Sequence, residues 1–260
     1  MSKIAVISFS GGMDSTGLLL HLLANDYDVK ALSFNYGQKH VVELERAKAN
    51  IKYLGERGYY VKHKIVDLQS AMSVFHSALT SNEYEVPRGH YEQDNMKQTV
   101  VPNRNAIFSS ILYGFALSIA IKHDQKVTIS TGVHSGDHEI YPDCRQEFFK
   151  VLFTAFTMGN WDSDKVKIEL PFITGDKYLI LKESLWACDQ LGLEFDSIFA
   201  NTNTSYAPDE NGLSDGKTGA DVERILAFHK LGRKDPVGYV KDWDSILEDA
   251  LNIEKEFIYE

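Results

Sequence analysis

The apolar residues of this chain fall into two rhythms that alternate along its first two thirds. Ile4-Ala5-Val6-Ile7 is a short β-branched run, and Val29 to Phe34, Lys62 to Leu68 and Lys126 to Gly132 are further runs of strand length. Such runs, bounded by turn residues, predict strands. Between them the spacing changes to three and four. Leu18, Leu19, Leu22 and Leu23 follow the first run, Val41 to Leu54 carries Glu43, Glu45, Arg46 and Lys48, and Asn105 to His123 is long and mostly apolar. These predict helices, the first beginning near Asp14 or Ser15. Strands alternating with helices imply an α/β fold, a doubly wound and mostly parallel sheet with its ligand crevice at the carboxyl ends of the strands.

The remainder of the chain reads differently. Gln146 to Met158 and Tyr178 to Leu191 predict helices, with Ile168-Glu169-Leu170-Pro171 between them. Pro208 to Gly219 is rich in Pro, Gly, Asn and Asp and predicts a loop, after which Asp221 to Leu231 returns to helix until Gly232 and Asp235-Pro236 stop it. Trp243, Ile246, Leu247, Ala250, Leu251 and Phe257 form one apolar stripe on an acidic segment, predicting a terminal amphipathic helix that docks on its own domain. Residues 81–99 are polar and hold Pro87 and Gly89, which predicts a mobile lid or insertion. The pattern divides the chain into an α/β domain over 1–165 and a smaller, mainly helical region over 166–260.

Composition narrows the classes. At 260 residues with 43% apolar content, the chain can bury one large core, or a core with a small appendage. A net charge of −10 argues against a nucleic-acid partner. The two cysteines, Cys144 and Cys188, lie far apart, which excludes a disulfide scaffold and suits a reducing compartment. The first apolar run is too short for a signal peptide. Ala106 to Ile121 contains Ser109, Ser110 and Ser118, so it predicts a buried helix rather than a membrane span. The expectation is a soluble, cytoplasmic protein with no membrane partner.

The chemistry begins behind the first strand, at Ser8-Phe9-Ser10-Gly11-Gly12-Met13-Asp14-Ser15-Thr16. Two glycines let backbone approach a ligand, and the start of a helix presents unpaired N–H groups and the positive end of its dipole. Together they make an anion cradle. No lysine follows the glycines, so it is not the mononucleotide G-x-x-x-x-G-K-[ST] loop.

Ser10-Gly11-Gly12-Met13-Asp14-Ser15 resembles the S-G-G-x-D-S loop of the PP-loop ATP pyrophosphatases, whose fold is a HUP-like, Rossmann-type sheet. The resemblance implies a nucleotide-binding first domain that grips the β,γ-pyrophosphate of ATP and leaves AMP on the substrate. Ser8, Ser10, Gly11, Gly12, Met13, Asp14, Ser15, Thr16 and Gln38 are its implied nucleotide-binding residues, and Asp14 is an implied helper for Mg²⁺. Further stretches, Phe34-Asn35-Tyr36-Gly37-Gln38-Lys39-His40, Ser77-Ala78-Leu79-Thr80, Val101-Pro102-Asn103-Arg104-Asn105 and Tyr141-Pro142-Asp143-Cys144-Arg145, resemble the 7-cyano-7-deazaguanine synthase (QueC) family of queuosine biosynthesis, and Asp235-Pro236 to Tyr239 fits too. That resemblance runs over residues 3–240. It implies a 7-carboxy-7-deazaguanine substrate whose carboxylate becomes an amide and then a nitrile, with ATP consumed at each step, in a homodimer.

A carboxylate reacts with an amine only once its oxygen becomes a leaving group, and adenylation supplies one. Basic groups and Mg²⁺ must then offset the crowding of carboxylate against triphosphate. Arg104 and Arg145 are the candidates for this, with Lys182, which matches a family lysine to within one residue of register. Asp137 and Asp143 are suited to accept hydrogen bonds from a guanine-like N–H edge, Asn105 sits beside Arg104, and Tyr141 offers a face for stacking. His134-Ser135-Gly136-Asp137-His138 has zinc spacing only if helical, and Gly136 argues for a loop. His40 is a possible ligand contact or a structural hydrogen bond.

The family's closing zinc motif is altered. Its pattern is Thr-x-Ser-Cys-Tyr followed by Cys-Gly-x-Cys-x-x-Cys, whereas this chain has Thr202-Asn203-Thr204-Ser205-Tyr206 and then Asp215-Gly216-Lys217-Thr218-Gly219-Ala220-Asp221. Ser205, Asp215, Thr218 and Asp221 take the four cysteine positions. Hydroxyls and carboxylates are a poor zinc set, so no structural zinc is expected and the loop over 205–221 must be held by caps and packing, or be mobile. Asn103 replaces a family glycine and is expected to narrow the pocket. A remodelled wall leaves open an acceptor larger than ammonia, including a protein N-terminus, as in QueC-like transferases of antiviral defence. A catalytically inactive nucleotide sensor is a further alternative, against which the intact loop weighs. There is no room for a glutaminase domain, and residue 2 is Ser2, so ammonia must come from solution or a partner.

Overall fold

The computed structural model describes residues 3–38, 42–80, 87–90, 94–138, 140–202, 205 and 213–259. His40 and Tyr206, singled out above, lie outside them. Five parallel strands form one sheet: β1 (Lys3–Ser8), β2 (Tyr27–Asn35), β3 (Lys62–Asp67), β4 (Val127–Ser130) and β5 (Val166–Glu169), in the order β3-β2-β1-β4-β5. The helices are α1 (Met13–Ala24), α2 (Val42–Glu56), α3 (Gln69–Met72), α4 (Arg104–His123), α5 (Gln146–Gly159), α6 (Lys177–Leu191), α7 (Phe195–Phe199), α8 (Gly219–Lys230) and α9 (Trp243–Tyr259).

β1 is an unbroken apolar run because both of its faces are covered, as a central parallel strand requires. Its alternate residues enter different cores. Ala5 and Ile7 join Leu18, Leu19 and Leu22 of α1 with Ile180 and Leu181 of α6, while Ile4 and Val6 join Leu112, Ala116 and Ala120 of α4. α4 is the one helix among the described residues that is long and apolar enough to cross a membrane, and it is used here as a core helix against the sheet. From β1 the chain proceeds outward through β2 to β3, then returns to β4 on the opposite side. The carboxyl ends of β1 and β4 therefore flank a topological switch point, where doubly wound sheets open a crevice.

Some expectations meet differences. The sheet continues past residue 165: β5 pairs with β4 through Val127–Val166 and Ile129–Ile168, so the run at Ile168, given no strand above, forms a short edge strand. The segment read as a lid is tied down where it is described. Met96 and Thr99 are buried, and Gly89 N–H donates to Lys217 O at 3.0 Å. α9 does dock on its own chain, with Ile246 and Ala250 against Val222 and Ile225 of α8.

Candidate active site

The loop after β1 is bound largely to itself. Phe9 N–H donates to Leu32 O at 2.8 Å, which carries the ladder one residue beyond the strand. Ser15 Oγ accepts from Ser10 N–H at 3.2 Å and lies 3.1 Å from Ser10 Oγ, and Ser10 Oγ accepts from Gly12 N–H at 3.1 Å. Gly11 has φ +87°, and a Cβ there would lie 2.2 Å from Glu43 O of α2, so only glycine fits. Gly12 is the N-cap of α1 without a side-chain cap, which leaves the N–H groups of the first turn, from Met13 onward, without intrahelical partners. Met13 itself is buried in the core and offers the site its backbone alone.

Ser8, Ser10, Asp14 and Ser15 line one wall of a cavity of about 220 Å³ at the switch point; Gln38, Arg104, Asn105 and Asp137 line others. Thr16 Oγ1, Thr131 Oγ1 and Asp14 Oδ1 are buried without a hydrogen-bond partner. Buried polar atoms are normally satisfied, so three orphans around one helix start point to a ligand. An orphaned carboxylate oxygen beside phosphate-sized space also suits a hard, oxygen-seeking cation such as Mg²⁺.

Arg104 opens α4. Its Nη1 donates to Tyr36 Oη at 3.4 Å, and its guanidinium lies 5.9 Å from the ring centroids of both Tyr36 and Tyr141. Burial raises the Tyr36 phenol above its ordinary pKa although Arg104 opposes this. Phe34 and Phe108 stack with centroids 4.1 Å apart and give the cavity an apolar wall. Gln38 braces the turn behind it, accepting from Tyr36 N–H at 2.9 Å and donating to Phe34 O at 3.2 Å.

Other predicted residues serve the scaffold. Asp143 accepts from Asn105 N–H at 3.2 Å, so its carboxylate holds the head of α4. Tyr141 is only 2% exposed and its hydroxyl meets Thr99 Oγ1 at 2.5 Å, so it supports Arg104 from beneath rather than stacking on a ligand. Arg145 is exposed, its Nε donates to His138 O at 2.8 Å, and it does not line the cavity. Burial pushes the Cys144 thiol far above its usual pKa. Asn103 is exposed with φ 60° and stands outside the cavity lining. The family glycine there answers to a left-handed backbone, which asparagine also tolerates, and the pocket is not narrowed by it.

The lysine beside the phosphate loop is Lys177, which lines the neighbouring cavity, whereas Lys182 is remote from it. Lys182 is exposed on α6, more than one turn beyond the helix start. Lys177 is the first residue of α6, is 3% exposed, and places Nζ 3.5 Å from Asp14 Oδ2, 2.7 Å from Glu223 Oε2 and 2.9 Å from His134 Nε2. Burial alone would lower its pKa, but Asp14, Glu223 and Asp137 together hold it above the ordinary value, so it stays charged. The missed signal was Asp176, whose side chain caps the helix by accepting from Leu179 N–H at 2.9 Å and so sets the start at 177.

A family model described as "Queuosine biosynthesis protein QueC" matches residues 4–232. The chain belongs to the QueC family. It is 42% identical over 239 residues to the 7-cyano-7-deazaguanine synthase of Marinomonas sp. (strain MWYL1), covering 92% of this chain and 99% of the relative. It is 39% identical over 242 residues to the protein of that name from Caldicellulosiruptor saccharolyticus, covering 92% and 98%. Among solved structures, an NMN synthetase from Francisella tularensis aligns with a TM-score of 0.42 at 14% identity, covering 98% of this chain and 85% of that one. A 4-thiouridine synthetase in an RNA complex with bound ATP aligns at 0.45 and 13%, covering 98% and 53%.

At the cysteine positions of the QueC pattern, three of the replacements bond to one another. Asp221 Oδ2 accepts from Thr218 Oγ1 at 2.5 Å and from Ser205 Oγ at 3.0 Å, and Thr218 and Asp221 form a capping box at the head of α8. Asp215 turns away to pair with Arg88 at 3.0 Å. Hydroxyls already engaged with a single carboxylate do not fit zinc, and no group of three His, Cys, Asp or Glu suited to a metal occurs among the described residues. His134 Nδ1 accepts from Gly136 N–H at 3.1 Å and its Nε2 lies 2.9 Å from Lys177 Nζ, so both ring nitrogens face protein groups.

Proposed function

We propose that this chain is an ATP-dependent carbon–nitrogen ligase that adenylates 7-carboxy-7-deazaguanine and passes the acyl group to ammonia, forming the amide and then the nitrile. The observation that carries this reading is the single cavity in which the Ser10–Ser15 loop, with the orphaned Asp14 Oδ1, faces Arg104 and the Phe34–Phe108 wall. This supports a reading in which an anion-binding and a base-binding surface meet at one switch point.

In this reading the N–H groups at the head of α1 and the ammonium of Lys177 hold the β- and γ-phosphates. Mg²⁺ entering with ATP would be held by Asp14 and the phosphates and would neutralise part of their charge. Arg104 draws the substrate carboxylate towards the α-phosphate, and Asp137 accepts from the N–H edge of the base. The carboxylate oxygen bonds to the α-phosphorus as the bond to the bridging oxygen breaks, and pyrophosphate leaves. Ammonia then adds to the acyl carbon, AMP departs with the former carboxylate oxygen, and a proton is lost to give the amide. A second adenylation at the amide oxygen lets AMP carry that oxygen away, and loss of two N–H protons leaves the nitrile.

The reading of a larger amine acceptor rested on an opened knuckle. Ser205, Thr218 and Asp221 close on one another, which favours ammonia among the described residues. Incubation with ATP, Mg²⁺, the 7-carboxy base and ammonium, followed by mass spectrometry, tests the proposal. Free nitrile supports it; adenylate or amide that never proceeds to nitrile redirects it to a transferase, and no substrate-dependent pyrophosphate overturns it.

A further inference from the structure

Lys177 needs a counter-charge while the site is empty and a fixed position while it is loaded. A buried ammonium without a partner is costly enough to lose its proton. Of the carboxylates around it, Asp14 at 3.5 Å belongs to the phosphate loop, where a cation entering with ATP would claim its charge in the reading above. Asp137 Oδ2 lies 3.6 Å from the same His134 nitrogen that faces Lys177, and its charge also favours the ammonium. His134 lies between two donors, its Nε2 2.9 Å from Lys177 Nζ and its Nδ1 3.1 Å from the Gly136 N–H, and in either tautomer an imidazole supplies no negative charge to balance the ammonium. Glu223 Oε2, at 2.7 Å, remains as the short acceptor.

The surroundings fix that carboxylate. A Cβ on Gly136 would lie 2.1 Å from Glu223 Oε1, so the side chain rests on glycine backbone. Glu223 rides on the first turns of α8, two residues after Asp221, whose bonds to Thr218 and Ser205 set where that helix begins. The altered knuckle therefore connects to the phosphate loop through one side chain.

We infer that Glu223 is a positioning residue that holds the Lys177 ammonium against the phosphate loop; the inference rests on the reading that this loop takes ATP. Its test uses the full chain and two readouts: the KM for ATP in 7-carboxy-7-deazaguanine-dependent ATP–pyrophosphate exchange, and calorimetric binding of a non-hydrolysable ATP analogue with Mg²⁺. Glu223→Gln is expected to raise the KM and weaken analogue binding by about tenfold or more, and Glu223→Asp to recover most of it. Glu254→Gln, in the neighbouring cavity that Glu223 also lines, should leave both unchanged. Because Glu223 acts through Lys177, the double variant Lys177→Met/Glu223→Gln should match Lys177→Met alone within about twofold.

A Glu223→Gln protein that binds the analogue as wild type does overturns the inference. So does a double variant multiplicatively weaker than Lys177→Met, or a loss confined to melting temperature that Glu223→Asp does not recover. Wild-type protein that binds no nucleotide overturns the parent reading, and this inference falls with it.

Discussion

The ammonium of Lys177 stands 3.5 Å from the carboxylate of Asp14, joining the first turn of α6 to the first turn of α1. The two helices come close because Gly17 has no side chain: a Cβ there would lie 2.5 Å from Ile180 Cγ2. That contact places a cation from the second half of the chain beside a loop from its first twenty residues. Lys177→Met is expected to lower substrate-dependent pyrophosphate release by on the order of a hundredfold, the usual consequence of losing a preorganised charge at a reacting phosphate. Lys182→Ala, on the exposed face of α6, should leave the rate unchanged. Steady-state assays of both variants check the assignment, and the reverse ranking refutes it.

Gly11→Ala tests the cradle. The added methyl meets Glu43 O at 2.2 Å and Ala47 N at 2.7 Å, and the φ of +87° is unfavourable for any L side chain. We expect a stability loss of about 3 kcal/mol, read from the urea midpoint, with loss of nucleotide binding.

Asn103 separates backbone need from pocket shape. With φ at 60° and the side chain exposed, Asn103→Gly should leave activity and stability nearly unchanged. Asn103→Val should cost about 1–2 kcal/mol, because a β-branched residue resists the left-handed region. Thermal melts and rates of the pair distinguish this from a steric role.

The Asp221 cluster makes a prediction about metals. Chelator treatment is expected to leave the melting temperature in place, since Ser205, Thr218 and Asp221 already satisfy one another. Asp221→Ala should destabilise by about 2 kcal/mol, because two buried hydroxyls and the head of α8 lose their acceptor. Elemental analysis with melts in and out of chelator provides the check, and a stoichiometric metal whose removal lowers the melting temperature contradicts it.

His63 sets a pH dependence. Ser33 Oγ donates to Phe9 O behind the loop, and His63 Nε2 lies 2.7 Å from Ser33 Oγ. Burial first, and Lys48 second, hold the imidazole below its ordinary pKa of 6.5. The unfolded chain then binds more protons than the folded one just below that value, so His63 stabilises the fold above about pH 6.5 and that contribution is lost as pH falls. A ring NMR titration should place His63 below 6.5, and His63→Gln should flatten the decline of the urea midpoint.

The parts of this fold legible in the sequence were those written in short-range pattern. β1 announced itself because every one of its central residues is buried, and the phosphate loop because its glycines are dictated by backbone geometry. The edge strand β5 was harder, being four residues long, half exposed and followed by proline. Asp14, Arg104 and Asp137, all expected from the sequence, line one cavity. Arg145 and Tyr141 sit in an equally clear motif, yet that motif builds a turn, and a turn's side chains face wherever its packing sends them. Glu223 had no local signal at all. Its meaning depends on α8 crossing to α6, a contact between segments that no spacing rule connects.

Three tight glycines around the phosphate loop also limit where this protein can change. Gly11 is pressed on α2, Gly17 on α6, and Gly132 lies so near Asp14 that a methyl group would reach its carbonyl at 3.0 Å. A cradle boxed in on those sides has no room for a side chain at any of the three, and the replacements at Asn103 and at the family's cysteine positions fall outside the box.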